Sequence, residues 1–164
     1  MKEQTAVRRA VSTAYYALFH LIVEEATAAR YETPSDAASM NAYGRKLDHA
    51  PTYKIAETIM DGGQAKAHLV DILSSDVSER VAYIIDTLMS LQDCRIASDY
   101  DRIYRLKLRD AMTLVRSADK AVRFWHEAKA AKDPTLKMFV ACIVAESDEA
   151  ETRKRPNRRQ RRRT

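Results

Sequence analysis

A long amphipathic stretch near the start of the chain, residues 8–25, constrains the fold more than any other feature of the sequence. Its apolar residues recur at spacings of three and four, and on a helix of 3.6 residues per turn they form a single stripe: Val7, Val11, Ala14, Leu18 and Ile22. At about 1.5 Å per residue, a helix over residues 3–29 would be about 40 Å long. Other helices must cover an apolar stripe of this length.

The rest of the chain repeats this pattern and has few residues that break helices. It has 164 residues with three Gly and four Pro, a size that suits one domain. Periodic apolar positions predict helices over about residues 51–60, 77–97, 106–129 and 135–147, and a further helical segment at residues 64–72. An Asp followed three residues later by a Glu predicts a capping box at residues 76–79. We therefore predict an all-α domain over residues 1–148, an up-and-down bundle of about five helices.

Several classes of protein do not fit the sequence. No apolar run approaches the roughly 20 residues of a membrane span, and no Gly-rich phosphate loop is present. Cys94 and Cys142 lack the spacing of metal ligands. We expect a cytoplasmic protein with reduced cysteines, no metal, no cofactor and no contact with a membrane.

Positive charge is concentrated at the end of the chain. Residues 1–152 carry 20 basic and 23 acidic side chains, a net charge of −3, whereas the last twelve residues hold eight basic side chains and no acid. We predict that residues 149–164 form a disordered tail that binds the phosphates of RNA or another nucleic acid. An acidic protein partner and a purely solubilising role are the alternatives. The predicted nucleic-acid-binding residues are Arg153, Lys154, Arg155, Arg158, Arg159, Arg161, Arg162 and Arg163.

Two motifs, in this order, resemble a known family. Residues 10–20 read AVSTAYYALFH, and residues 91–101 read LQDCRIASDYD, in which Arg is followed after three residues by Asp-Tyr. Over residues 1 to about 130 the chain resembles HEPN domains. The resemblance implies a cytosolic, usually dimeric helical bundle from toxin–antitoxin, defence or RNA-processing systems, sometimes encoded beside a nucleotidyltransferase. We expect a homodimer, and an antitoxin or a nucleotidyltransferase as a protein partner. The apolar segment 135–147 is a second reason to expect a homodimer, because it must pack against its own bundle or a second copy.

The chain departs from this family at the residues that carry catalysis. Catalytic HEPN domains are metal-independent ribonucleases with an Arg followed, after four to six residues, by a His. An imidazole can move the proton of a 2′-hydroxyl, and a guanidinium stabilises the charge on the phosphate. None of the four histidines of this chain follows an Arg at that spacing. Our first hypothesis is therefore an RNA-associated accessory or interaction module of a defence, toxin–antitoxin or stress system.

Two further hypotheses stay open. A divergent metal-independent endoribonuclease toxin would use Arg95 as a phosphate clamp, with Tyr100 or His49 completing the catalytic site. A HEPN-like subunit that only binds a protein partner is the other. The simplest interpretation of Arg95 and Asp99 is an i,i+4 ion pair at a helix end, which contributes about 0.3–0.5 kcal/mol. Beside Arg95, the residues predicted to line a cleft are Ser12, Tyr16, His20 and Asp99.

Overall fold

The computed structural model describes residues 2–31, 37–45, 47, 49–60, 77–100 and 104–154. Within these ranges the chain forms six helices and no strand, which confirms the all-α prediction. None of these helices is long and apolar enough to cross a membrane. The helical segment predicted for residues 64–72 lies outside the described residues. The helices are α1 (Lys2–Arg30), α2 (Ala37–Gly44), α3 (His49–Met60), α4 (Glu79–Tyr100), α5 (Leu108–Ala130) and α6 (Pro134–Lys154).

The first helix is the centre of the bundle, as its apolar stripe predicts. It contacts α2, α4, α5 and α6. Its stripe residues Val11, Leu18 and Ile22 are at most 1% exposed. Burying a side chain of this size stabilises a fold by about 1.5–3 kcal/mol relative to leaving it in water. The stripe therefore accounts for a large part of the core.

Polar contacts at the two ends of α1 fix the directions of its neighbours. The guanidinium of Arg8 donates hydrogen bonds to the carbonyl of Ser98, near the end of α4, at 2.6 Å, and to the carbonyl of Tyr104 at 2.8 Å. Lys129, near the end of α5, lies 2.6 Å from the carboxylate of Glu25, near the end of α1. Accordingly α4 runs antiparallel to α1, and α5 runs parallel to it.

The fifth helix buries only part of the apolar residues that predicted it. The periodic apolar positions of residues 106–129 include Ala111, Ala118 and Trp125, which are buried, but also Leu108, Met112 and Val115, which are 53%, 46% and 37% exposed. Close packing against α1 and α4 is made by small side chains with one large residue among them, because alanines let helix axes approach closely. An apolar stripe therefore remains on the surface of α5. The buried residues are Ala111, Ala118, Ala121, Trp125 and Ala128.

The apolar part of the last helix packs inside its own chain. Leu136, Phe139 and Ile143 are at most 4% exposed, and α6 contacts both α1 and α3. This finding settles which of the two predicted partners covers the segment. The apolar character of residues 135–147 is therefore not evidence for a second copy of the chain.

The last helix also continues beyond its predicted end. Its final turns, through Lys154, include residues 149–154, which the sequence had placed in the tail. Glu, Ala, Arg and Lys in this segment favour helix. Arg30 pairs with Asp148 at 3.2 Å, and the hydroxyl of Thr152 donates to the carbonyl of Asp148 at 2.9 Å. The predicted tail is corrected to this extent, and residues 155–164 lie outside the described residues.

The fourth and sixth helices begin at one shared polar cluster, which we call the cap cluster: Ser78, Asp133 and Thr135. The hydroxyl of Ser78 donates to Asp133 Oδ2 at 2.7 Å, and the hydroxyl and backbone N–H of Thr135 donate to Asp133 Oδ1 at 2.7 and 2.8 Å. The N–H of Val81 donates to Ser78 Oγ at 3.4 Å. Ser78 thus takes the N-cap position for which the sequence predicted a capping box over residues 76–79, whose first residue lies outside the described ranges.

Candidate functional site

Side chains from three helices meet near the middle of α1, and we call them the Tyr–Arg–His cluster: Tyr15, Tyr16, His49 and Arg95. The guanidinium carbon of Arg95 lies 5.0 Å from the ring centroid of Tyr15 and 5.3 Å from that of Tyr16. The ring centroid of His49, the first residue of α3, lies 5.4 and 5.7 Å from the same two rings. The paired tyrosines of the first motif thus bring a cation and an imidazole to one place.

The inner layer of the cluster is a hydrogen-bonded chain. Tyr15 is fully buried, and its hydroxyl lies 2.7 Å from His49 Nδ1 and 3.1 Å from Oε1 of the buried Gln92. A hydroxyl has one hydrogen to donate. With that hydrogen directed to Gln92, His49 Nδ1 carries a hydrogen and donates to Tyr15, an assignment made from the hydrogen-bond network. The ring of Phe19, 4.2 Å away between centroids, packs on the imidazole and fixes its position.

The outer layer of the cluster presents aromatic surface to solvent. Tyr16 is 39% exposed, and its hydroxyl accepts a hydrogen bond from Nη1 of Arg95 at 3.2 Å. The ring of the exposed His20, one turn further along α1, stacks against Tyr16 with centroids 6.1 Å apart and an angle of 28° between the planes. Two flat side chains therefore lie beside one guanidinium on the surface.

Among the described residues, the charge of Arg95 is only loosely compensated. Its side chain is 16% exposed, and its Nε is buried with no hydrogen-bond partner among the described residues. Asp99 Oδ2 lies 3.8 Å from that Nε, beyond hydrogen-bond distance, and the Asp99 side chain is 54% exposed. The i,i+4 ion pair expected from the sequence is present. Its length and exposure place it among the pairs that contribute between zero and about 1 kcal/mol.

The structure brings together most of the residues predicted for the altered site. Arg95 and His49 meet the same pair of tyrosines, although neither lies in the family's catalytic spacing. His20 stacks on the ring of Tyr16, and Asp99 pairs with Arg95, so both lie beside the cluster. Ser12, the remaining residue predicted for the cleft, is partly buried and lies one turn before Tyr16 on the same face of α1.

Other predicted residues fall where the structure describes no side chain. Tyr100 is the last residue of α4, and its side chain lies outside the described residues. Arg153 and Lys154 end α6, again without described side chains. The other six predicted tail contacts, all within residues 155–164, lie outside the described ranges. The nucleic-acid-binding prediction for the tail therefore stays a prediction.

Two residues that hold the cluster together were missing from the predicted site. Tyr15 is part of the first motif but was not among the predicted site residues, and the structure gives it both burial and hydrogen bonds to His49 and Gln92. Gln92 lies between apolar positions of α4, one turn before Arg95. A buried amide needs a hydrogen-bond partner. A Gln among the apolar positions of a helix was therefore the sequence signal that could have predicted a buried polar contact here.

The described ranges contain neither a cluster of metal ligands nor a disulfide. No group of three or more His, Cys, Asp or Glu side chains there is arranged to hold a metal ion. Cys94 and Cys142 are buried and form no disulfide. Burial raises the pKa of Cys142 to about 11, so its thiol stays protonated at neutral pH and is a poor nucleophile.

The Tyr–Arg–His cluster therefore supplies three chemical functions on one surface. Arg95 can pair with an anion, Tyr16 and His20 can stack on a flat ring, and His49 carries an oriented imidazole. A phosphate anion, a flat base and the proton of a ribose 2′-hydroxyl are all features of a nucleotide.

No protein-family model, no curated protein and no solved structure matches this chain.

Proposed function

We propose that this chain is an RNA-associated accessory or interaction module of the HEPN type, serving a defence, toxin–antitoxin or stress system, and that the Tyr–Arg–His cluster is its RNA contact. The single observation that carries the RNA contact is the placement of the Arg95 guanidinium against Tyr15 and Tyr16, with Tyr16 exposed. The family and the cellular system come from the resemblance of the two sequence motifs.

The contact is built for a phosphate beside an unstacked base. Arg95 is pre-positioned by two rings, so that it loses little side-chain freedom when it binds an anion. A phosphate oxygen can replace Asp99, whose ion pair with Arg95 is 3.8 Å long and exposed. The adjacent rings of Tyr16 and His20 then offer faces for a base, and base–aromatic stacking contributes about 1–3 kcal/mol. Single-stranded RNA is the ligand that presents both groups.

Binding of a fluorescein-labelled single-stranded RNA tests this contact. Substitution Arg95→Ala is expected to weaken binding about tenfold, because a charge-assisted hydrogen bond contributes about 1.5–3 kcal/mol. It should also lower the slope of log affinity against log salt by about 0.7, the value for one phosphate of a single strand. Arg95→Lys should restore the charge but only part of the affinity, since lysine lacks the planar fork.

A matched control lies on the same helix. Arg80, on the first turn of α4, forms an exposed 3.2 Å ion pair with Glu127 and is far from the cluster. Arg80→Ala removes the same charge and should leave RNA affinity within twofold. Equal losses for Arg80→Ala and Arg95→Ala would show that only net charge matters and would overturn the proposed contact. Circular dichroism of each variant checks that the helices remain.

The basic end of the chain is proposed as a second, unspecific contact. Deletion of residues 153–164 removes eight cations. RNA affinity at low salt should then fall steeply for every sequence tested, because phosphate neutralisation releases counterions whatever the bases are. Unchanged affinity after the deletion would favour an acidic partner or a solubilising role for this segment.

One observation favours a second candidate function, a metal-independent endoribonuclease. His49 and Arg95 share the Tyr15–Tyr16 pair. In this reaction Nε2 takes the proton of a 2′-hydroxyl, whose oxygen attacks the neighbouring phosphorus. The bond to the 5′-oxygen breaks, that oxygen takes a proton from solvent, and a 2′,3′-cyclic phosphate forms. Arg95 would stabilise the charge on phosphorus.

Incubation of the purified chain with RNA in EDTA separates the two functions. Cleavage that His49→Ala and Arg95→Ala both abolish, and that a 2′-deoxy substitution at the cleaved position blocks, would establish the enzyme. His126 is exposed on α5 away from the cluster, so His126→Ala is the matched control and should cleave like the unchanged chain. Binding without cleavage would establish the module.

We also propose that the chain is a homodimer, with the contact on α1 and α5 rather than on α6. The exposed stripe of α5 and small residues of α1 line a groove of about 370 Å³. This groove has two large apolar residues, Leu108 and Met112, and two small ones, Ala6 and Ala10. In a dimer with two-fold symmetry, the large residues of each copy would pack on the small residues of the other. Sedimentation of Met112→Lys should give a monomer. Met60→Lys, an equally exposed methionine on α3, should not change the oligomeric state. An unchanged sedimentation coefficient for Met112→Lys would contradict this interface.

An antitoxin or a nucleotidyltransferase remains the protein partner that the resemblance implies.

A further inference from the structure

A second groove lies between the C-terminal ends of α1 and α5 and the first turns of α6. Its volume is about 180 Å³. Apolar cavities of about 150 Å³ hold a benzene molecule, so this groove has room for one aromatic or leucine side chain. The groove is distinct from the Tyr–Arg–His cluster, because Tyr16 and Glu25 are separated by nine residues, or about 14 Å, along α1. The aliphatic residues of its floor are Ala29, Ala128, Leu136, Val140 and Ala141.

The rim of the groove is positively charged. Lys129, Lys132 and Lys137 line it. Lys129 Nζ is already paired at 2.6 Å with a carboxylate of the same chain, that of Glu25. Asp133, also at the rim, is engaged by the cap cluster and is not available to the lysines as a free acid. Lys132 and Lys137 thus have exposed ammonium groups at the mouth of an apolar floor, with no partner among the described residues.

The backbone at Lys132 adds an independent observation. Lys132 has φ of 54°, the one positive φ among the described residues other than glycine. Its N–H bonds to the carbonyl of Lys129 and the next N–H bonds to the carbonyl of Ala128, the pattern of a Schellman motif, where glycine is usual. A lysine here costs conformational energy that glycine would not. A non-glycine residue in this sparsely populated backbone region points to a use for its side chain.

We propose that this groove docks an acidic peptide segment of a partner protein, which inserts one bulky apolar side chain and places carboxylates against Lys132 and Lys137. Charge complementarity selects the occupant. The lysine rim excludes the chain's own basic end, and the aliphatic floor offers nothing to a sugar–phosphate backbone. Glu25 shows within the molecule the kind of group that the rim binds. This inference stands independently of the proposed RNA contact.

The probe is a blocked pentapeptide with a central phenylalanine flanked by two glutamates on each side, titrated into the full chain labelled with ¹⁵N. We expect saturable shifts of the backbone amides of residues 136–141, weakened by salt. Two matched peptides separate the contributions. Replacing the phenylalanine by alanine should weaken binding at least tenfold, because the alanine side chain leaves most of the apolar floor uncovered. Replacing the glutamates by lysines should abolish it.

The decisive variant is Lys132→Gly. It relieves the backbone, so the melting temperature should rise by about 2–4 °C, while peptide affinity should fall about two- to fivefold, the range of one exposed ion pair. A rise in stability together with a loss of binding cannot be attributed to misfolding. Ala141→Leu, which fills the floor from an exposed position, should abolish binding. Lys54→Ala, an exposed lysine on α3, is the control and should bind normally.

Several outcomes would overturn this proposal. They are an absence of shifts at millimolar peptide, equal shifts with the alanine peptide, unchanged affinity of Lys132→Gly, and equal shifts of the same amides by single-stranded RNA. If the same amides shift with protein concentration in the absence of peptide, the occupant is a second copy, and the acidic partner is rejected.

Discussion

Two polar clusters join helices in this bundle, and they differ in how completely their charged group is satisfied. In the cap cluster, Asp133 accepts three hydrogen bonds of 2.7–2.8 Å from Ser78 and Thr135. Burial alone would raise the pKa of Asp133, but these hydrogen bonds outweigh it and hold the pKa below its usual value. In the Tyr–Arg–His cluster, Arg95 has one hydrogen bond of 3.2 Å and a 3.8 Å ion pair with the residues that the structure describes.

The comparison separates a group that serves the fold from one that is available to a ligand. A saturated charge between two helix starts stabilises the chain and has no capacity left for another molecule. A charge held by aromatic faces keeps most of its hydrogen-bonding capacity. Substitutions in the cap cluster should therefore change stability, whereas substitutions at Arg95 should change binding.

Removal of the Asp133 carboxylate should have the largest effect on stability. Asp133→Ala loses the N-cap of α6 and leaves two hydroxyls without their acceptor, so unfolding free energy should fall by about 2–3 kcal/mol. Urea denaturation measures the change. Asp119→Ala is the control, because Asp119 is 74% exposed in its pair with Arg123 and should contribute less than about 0.5 kcal/mol. Similar losses for the two variants would remove the distinction between the clusters.

A smaller loss should follow from Tyr15→Phe, in the inner layer of the other cluster. The substitution keeps the ring but leaves the buried Gln92 and His49 Nδ1 without the hydroxyl between them, at a cost of about 1–2 kcal/mol. The neighbouring Tyr16→Phe is the matched control. Its hydroxyl is at the surface, so its loss should cost less than about 0.5 kcal/mol. If Tyr16→Phe proves the more destabilising, the division into inner and outer layers is wrong.

Acid should weaken the cap cluster without removing it. The pKa of Asp133 is lower in the folded chain than in the unfolded chain. Its contribution to stability is therefore complete above the unfolded value, about 3.9, and is lost as pH falls through the folded pKa. Asp133→Asn keeps a capping side chain but does not titrate. The difference in urea midpoint between the two chains should shrink as pH falls from 6 to 2.5, and a constant difference would contradict this assignment.

The sequence predicted the bundle well because its signals are periodic and local. The stripe of α1 follows from spacing alone, and the burial of its residues confirms it. The exposure of Leu108 and Met112 could not be predicted, because periodicity does not tell which of the apolar residues of α5 face the neighbouring helices. The residues of α5 that are buried are four alanines and Trp125.

The candidate site was partly predictable for a related reason. Arg95 and Tyr16 were accessible through motifs, whereas the contact between His49 and Tyr15 joins residues 34 positions apart. Such a contact depends on where α3 begins relative to α1, which no local pattern specifies. Similarly, Ser78 meets Asp133 only because α4 and α6 start at the same end of the bundle. Long-range polar contacts are therefore what the sequence left undetermined.

The smallest effect on stability should come with a gain of binding. Asp99→Asn removes the carboxylate 3.8 Å from Arg95 Nε but keeps the size of the side chain. Unfolding free energy should change by less than about 0.5 kcal/mol, since the pair is exposed. RNA affinity should rise about two- to fivefold, because a phosphate no longer competes with Asp99 and one repelling charge is gone. Fluorescence anisotropy at low salt measures the gain.

Asp93→Asn on the same helix is the control: Asp93 accepts a 3.0 Å hydrogen bond from the Tyr53 hydroxyl rather than pairing with Arg95. An equal gain for both variants would mean that net charge alone sets affinity, whereas a gain for Asp99→Asn alone would mark Arg95 as the group that a ligand competes for.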